Sequence, residues 1–328
     1  MQLCPNMKKF FIMGMAAMGL ALTACNNDET VEVAKGNAIG FNSFVNKSTR
    51  GAADDVTLAK LGSIEVYGWR GDHQIFNKQQ VTVNADGEGS YSPIQYWEAN
   101  YTYNFEAIAP KDGEKGVTFA ANVNGGTITF VNDAITDLLY SKASPLTTAD
   151  KLTATPGKVN FNFSHELARV KFTFKNTFPA NAAAKISVKD VKITDAYKNG
   201  TITPAEADAK WNATDKTLTV DFESTSVTNL VANTGTGTTD HMYLIPTAKE
   251  ESYIVTFTVT LDQNGATTDY KHSVTFKTTQ EQGKSYNYVA EINENNINPN
   301  PDEQLYPIEF TATVEKWGEF NNVDYTIK

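Results

Sequence analysis

His165-Glu166-Leu167-Ala168-Arg169 is one residue away from the HExxH of zinc proteases. In that motif two histidines at i and i+4 share one helix face and point at one Zn²⁺, with the glutamate as general base. Here the i+4 position is Arg169, which has no lone pair to offer a metal and carries like charge. The flanking residues alternate rather than follow a helical period. Val159, Phe161, Phe163, His165 and Leu167 share one parity, and Val170, Phe172 and Phe174 resume on the other. That pattern predicts a long strand with a one-residue slip at Leu167–Ala168, of the kind a β-bulge makes. On a strand, His165 and Arg169 stand too far apart for one zinc ion. The bland alternative is an inward-facing, hydrogen-bonded core histidine.

No other constellation promises catalysis. The chain has no GxSxG, no phosphate-binding P-loop and no cysteine in its body, and His73, His241 and His272 are scattered. Asp86-Gly87-Glu88-Gly89 resembles a calcium loop only in fragment and reads better as a turn. No enzyme activity, cofactor or metal site is expected.

The elements that position these residues are strands. Thr, Asn, Val, Phe and Tyr dominate many short alternating runs, so the class is all-β. The length of 328 residues suits two domains. Acidic residues outnumber basic ones 38 to 28, giving a net charge of −10, with no basic block beyond the first ten residues. A nucleic-acid partner, which needs a concentrated cationic surface, is therefore excluded.

The first residues read as an address. Lys8 and Lys9 precede an apolar run of 13 residues, Phe10 to Leu22. As a helix that run spans roughly 20 Å, short of the ~30 Å hydrocarbon core, so it fits a signal-peptide segment. Met7 is the expected start. Leu22-Thr23-Ala24-Cys25 resembles a bacterial lipobox, after which Cys25 becomes an acylated (palmitate-bearing) N-terminus; an ordinary secretory signal is the alternative. Asn26, Asn27, Asp28 and Glu29 follow, similar to the surface-export signal of some Gram-negative lipoproteins. An outer-membrane lipoprotein precursor facing outward is expected.

Alternating runs separated by Asp86-Gly87, Asp112-Gly113 and Asn124-Gly125-Gly126 fill the first half. Asp137 to Ser141 reads as a short helix or irregular link, and Ser144 to Lys158 as a junction. In the second half Asp262-Gln263-Asn264-Gly265 reads as a hairpin turn and Thr234 to Thr239 as a loop. A last apolar excursion carries Ile308, Phe310, Ala312 and Val314 on one parity, then Val323, Tyr325 and Ile327.

Four features together resemble the fimbrillin family, the lipoprotein-precursor pilins of type V pili. They are the lipobox at Cys25; Pro93-Ile94-Gln95-Tyr96-Trp97 ahead of Tyr103-Asn104-Phe105-Glu106-Ala107-Ile108-Ala109-Pro110; Phe163-Ser164-His165-Glu166-Leu167-Ala168-Arg169-Val170; and Val314-Glu315-Lys316-Trp317 near the C-terminus. The resemblance covers nearly the whole chain. It implies two tandem transthyretin-like β-sandwich domains after a lipoprotein signal peptide. The divisions are a signal peptide over 1–24, a lipidated propeptide with the first strand over 25–50, an N-terminal sandwich over 51–157 and a C-terminal sandwich over 158–328.

The resemblance also implies a function: a structural subunit of surface fimbriae that supports adhesion. An arginine-specific protease removes the first strand and a strand of another pilin subunit fills the vacated groove. Carried onto this chain, the removed strand holds Ile39, Phe41 and Val45, and the cut falls at Arg50-Gly51 within the small, polar stretch 47–52. The replacing strand is carried by Val323, Tyr325 and Ile327, whose period of two fits such a groove. The residues alone leave alternatives open. An arginine in a polar loop need not be cut, and residues 306–328 can serve as strands of their own domain. Stalk, tip and anchor subunits are not distinguished. A surface-anchored lipoprotein binding glycan or protein on a host or bacterial surface, with Trp69, Tyr96, Trp97, Tyr101 and Tyr103 as an aromatic platform, is the competing class.

Overall fold

The computed structural model describes residues 37–45, 61–152, 156–223, 226–300 and 307–316, and every element among them is a strand. The first half holds β1 (Gly40–Val45), β2 (Ser63–Arg70), β3 (His73–Val83), β4 (Glu88–Ser90), β5 (Thr102–Ala109), β6 (Val117–Ala120), β7 (Thr127–Val131), β8 (Leu139–Lys142) and β9 (Leu146–Thr147). Next come β10 (Lys158–His165), β11 (Ala168–Asn176), β12 (Ala184–Ala196), β13 (Asn199–Ile202) and β14 (Asn212–Thr214). The remainder are β15 (Leu218–Phe222), β16 (Leu230–Val231), β17 (Thr236–Thr238), β18 (Met242–Leu244), β19 (Glu250–Gln263), β20 (Ala266–Thr279), β21 (Lys284–Ile292) and β22 (Phe310–Lys316). The all-β class holds.

The first sheet closes on itself. Its order runs β2-β3-β4-β1-β10-β8-β5, and β5 returns to pair with β2, leaving β9 as a branch on β5. Closure removes free sheet edges, as in a small barrel. The alternating faces of these strands fill the interior with Ile64, Val66, Phe76, Val81, Phe105, Phe161 and Phe163 among others. The second half forms an open sandwich. One sheet runs β17-β11-β21-β22 with β18 on β11; the other runs β15-β12-β19-β20 with β16 on β12. Phe172 and Phe174 from the first meet Phe222 and Phe257 from the second at centroid distances of 4.9 and 5.2 Å. The long β19–β20 hairpin turns at Asn264-Gly265, both at positive φ, as a tight turn compatible with strand twist requires.

Three sequence expectations change. Residues 158–176 are not one bulged strand: β10 pairs with β1 and β8, whereas β11 pairs with β17, β18 and β21 in another sheet. The parity slip at Leu167–Ala168 marks a change of sheet. Residues 137–141 are not a helix or irregular link. They lead into β8, where Leu139 and Tyr140 are buried on opposite faces between β5 and β10. Residues 236–238 are β17, paired to β11, with Thr173 and Thr238 hydroxyls 2.9 Å apart.

A fourth sheet, β14-β13-β7-β6, joins the halves, because β7 and β13 pair across residues 128–131 and 199–202. Its core gathers Tyr67, Phe119, Phe130 and Tyr140 with Leu167, Ile202, Trp211 and Tyr243.

Candidate functional site

β1 is the one strand of the closed ring contributed by a short segment ahead of residue 61. It runs parallel to β10, from Gly40 opposite Lys158 to Val45 opposite Phe163, and antiparallel to β4 at Phe41–Gly89 and Asn42–Glu88. Further bonds seat it: Ile39 N donates to Gln95 O at 2.9 Å, Ser43 N to Gly87 O at 2.7 Å, and the Tyr91 hydroxyl to Ile39 O at 2.7 Å. Without β1, the ring opens between β4 and β10 along a groove lined by apolar residues and by backbone groups ready to pair.

The alternation sends Ile39, Phe41, Ser43 and Val45 inward. Ile39 and Phe41 are buried and Val45 packs half-buried against the same core. Phe41 lies within 5.3–6.0 Å of the rings of Phe76, Tyr91, Phe105 and Phe161. Burying Ile39 and Phe41 stabilises β1 by about 3–6 kcal/mol. Phe44 faces the other way and is half-exposed. Gly89 of β4 is dictated by this packing: a Cβ there would lie 2.6 Å from Val81 and 3.1 Å from the Phe41 Cβ.

Outside the groove, Lys158 of β10 reaches over Gly40 to Glu88 of β4, with Nζ–Oε1 at 2.5 Å; a Cβ at residue 40 would meet the Lys158 stem at 3.0 Å. The ammonium holds the Glu88 carboxyl below its usual range. Asn42 donates to Asn160 Oδ1 at 3.1 Å beside it. The β4 side is stiffened by Asn84, whose Oδ1 accepts from Asp86 N and Glu88 N. Residues 84–87 are thus a side-chain-capped turn that leads into β4 at the border of the groove.

His165 lies at the end of β10, 3% exposed, with Nδ1 2.9 Å from Asp137. Its sequence neighbour Arg169 is fully buried on β11, in another sheet, and donates from Nε to Ser285 Oγ at 3.1 Å. Between them Glu166 is completely buried. Ser164 Oγ and Gln282 Nε2 lie 2.7 and 2.6 Å from its two carboxyl oxygens, and Trp211 Nε1 donates to its carbonyl at 2.6 Å. Burial pushes the carboxyl up to about 8, and the Asp137 charge acts in the same direction. With the carboxyl protonated, Ser164 can accept from it and still donate to Tyr140 O at 3.2 Å. The near-HExxH stretch is a polar crossing point between two sheets.

Other histidines stand apart: His73 is exposed on β3, His241 is near Tyr243, and His272 on β20 stacks on Phe257 at 5.0 Å. Among the described residues no three His, Cys, Asp or Glu side chains gather as a metal site would need. The aromatic platform does not form either. Trp69, Trp97 and Tyr103 are core residues, while Tyr96 and Tyr101 are 45% and 42% exposed. Cys25, Arg50, Gly51, Val323, Tyr325 and Ile327 lie outside the described residues. Sequence reading missed Ser43, Gly89 and the Lys158–Glu88 pair. The period of two through Ile39, Phe41 and Val45 already marked Ser43 as inward; the ion pair has no sequence signal, since 69 residues separate its partners.

A family model described as fimbrillin-like matches residues 27–317. The chain belongs to the fimbrillin-like family. Among solved structures, this fimbrillin-like chain is similar to a fimbrial protein of Bacteroides vulgatus, with a TM-score of 0.62 at 16% identity, covering 86% of this chain and 100% of that one. It is also similar to a candidate cell adhesion protein of Bacteroides ovatus, with a TM-score of 0.51 at 17% identity, covering 86% and 98%. A candidate cell adhesion protein of Bacteroides uniformis gives 0.50 at 17% identity, covering 86% and 99%. At such identities the likeness is one of fold. No curated protein matches this fimbrillin-like sequence.

Proposed function

We propose that this fimbrillin-like protein is a structural subunit of cell-surface fimbriae, made as an outer-membrane lipoprotein precursor acylated at Cys25 and polymerised by strand exchange. An arginine-specific protease cuts at Arg50-Gly51 and frees β1. A strand bearing Val323, Tyr325 and Ile327 from another subunit then enters the groove between β4 and β10. The carrying observation is the position of β1: it completes a closed ring, buries Ile39 and Phe41, and belongs to a segment that one cut at residue 50 detaches. Donated strands bind by the same ladder and alternating pockets in other systems. The two sandwich units are proposed to meet near Glu166-Leu167, eight residues beyond the boundary at 157–158, because β10 completes the first ring.

Brief treatment with an arginine-specific protease, N-terminal sequencing and an unheated denaturing gel test the proposal. The expected result is a new N-terminus at Gly51 and a ladder of heat-sensitive multimers. A chain that stays whole and monomeric would refute polymerisation and favour a surface-anchored binding lipoprotein. A chain truncated after residue 320 is expected to fold, to be cut and to form no ladder.

A further inference from the structure

Ser43 is the third of four inward side chains along residues 39–45, between Phe41 and Val45. It is 0% exposed, and its hydroxyl has no hydrogen-bond partner among the described residues. The strand itself is correctly seated there, since Ser43 N donates to Gly87 O at 2.7 Å and Ser43 stands opposite Phe161 in register. Only the hydroxyl is stranded, facing the apolar interior that holds Phe41, Phe161 and Phe163. Taking a hydroxyl out of water without a partner is unfavourable, whereas an apolar group at the same point is favourable. All the other inward positions of β1 are apolar.

We infer that the groove between β4 and β10 is matched to a strand with an apolar side chain where Ser43 stands, so that Ser43 makes β1 the weaker occupant and sets the direction of exchange. The inference rests on the proposed strand exchange and adds to it the chemistry of the partner. That partner is an extended segment with apolar or aromatic side chains at every second position, including the third. The segment Val323, Tyr325, Ile327 of a second copy has this spacing. Laid on the four inward positions in either direction and either register, its three side chains always fill the Ser43 position. The first strand therefore holds the precursor closed yet yields once cut. The cost of the stranded hydroxyl is confined to one inward residue, leaving Ile39 and Phe41 to keep the uncut ring intact.

The test uses the full chain with a site-specific protease recognition sequence inserted between residues 50 and 60, so that cutting does not depend on Arg50. After the cut, labelled synthetic peptides spanning residues 37–46 compete for the groove, read by fluorescence anisotropy. Ser43→Ala and Ser43→Val peptides are expected to displace β1 about tenfold more effectively than the native peptide. A Ser43→Thr peptide, which has the shape of valine but retains the hydroxyl, is expected to behave like the native one. Equal displacement by all four peptides overturns the role of Ser43 while leaving strand exchange standing. Displacement by none overturns exchange itself. The same substitutions in the uncut chain provide a second reading. Ser43→Ala is expected to raise the denaturant midpoint and Ser43→Thr is not; a lowered midpoint in Ser43→Ala contradicts the inference.

Discussion

Glu166 shows how one residue type takes its role from its surroundings. In sequence it sits where a metalloprotease keeps its general base; in the fold it is sealed between β10 and β11, held by Ser164 and Gln282 with the Asp137 charge acting on it. Its carboxyl is raised to about 8, so between the ordinary glutamate range and pH 8 the folded state binds more protons than the unfolded state. Stability contributed by this group is thus present at low pH and lost as pH rises through that window, by up to about 1 kcal/mol per pH unit. Chemical denaturation between pH 5 and pH 8 is expected to show this decline, and Glu166→Gln is expected to flatten it. A second prediction at this scale concerns the ion pair over β1. Both Lys158 and Glu88 are about half exposed, so Lys158→Ala is expected to cost under about 1 kcal/mol.

For an element, the informative comparison is between two faces of the same strand. Phe41 of β1 is fully enclosed by four aromatic rings, while Phe44 faces outward. Phe41→Ala is expected to cost about 3–5 kcal/mol, and Phe44→Ala under about 1 kcal/mol, both read from equilibrium denaturation. Equal costs would mean that β1 does not seat in this register. Strand patterning was legible where one face is buried and the other wet: β10 alternates buried and exposed through all eight residues, as its sequence does. Legibility failed for β8 and β17. β8 is buried on both faces, which erases the period of two, and β17 is too short and too polar to display one.

At the scale of the whole molecule, the sheet shared by β7 and β13 ties the two halves through a common core. Trp211 sits in that core and bonds the Glu166 carbonyl, so it touches both the shared sheet and the crossing point. Trp211→Ala is expected to cost about 3–5 kcal/mol and to split a single calorimetric transition into two, because the halves then lose their common packing. A single unsplit transition in the variant would show that coupling runs elsewhere.

The sequence by itself determined the all-β class, because a period of two is a local property that any buried strand imposes on its own residues. It also carried the order of motifs on which the family resemblance rests, since that order is a linear pattern. The tertiary structure alone decided which strands neighbour one another. Nothing local tells Gly40–Val45 that its partners are Lys158–Phe163 on one side and Glu88–Gly89 on the other. Nor does anything local show that the slip at Leu167–Ala168 is a passage from one sheet to the next. Pairing depends on groups as much as 118 residues apart, and the fate of the Ser43 hydroxyl depends on what that pairing encloses.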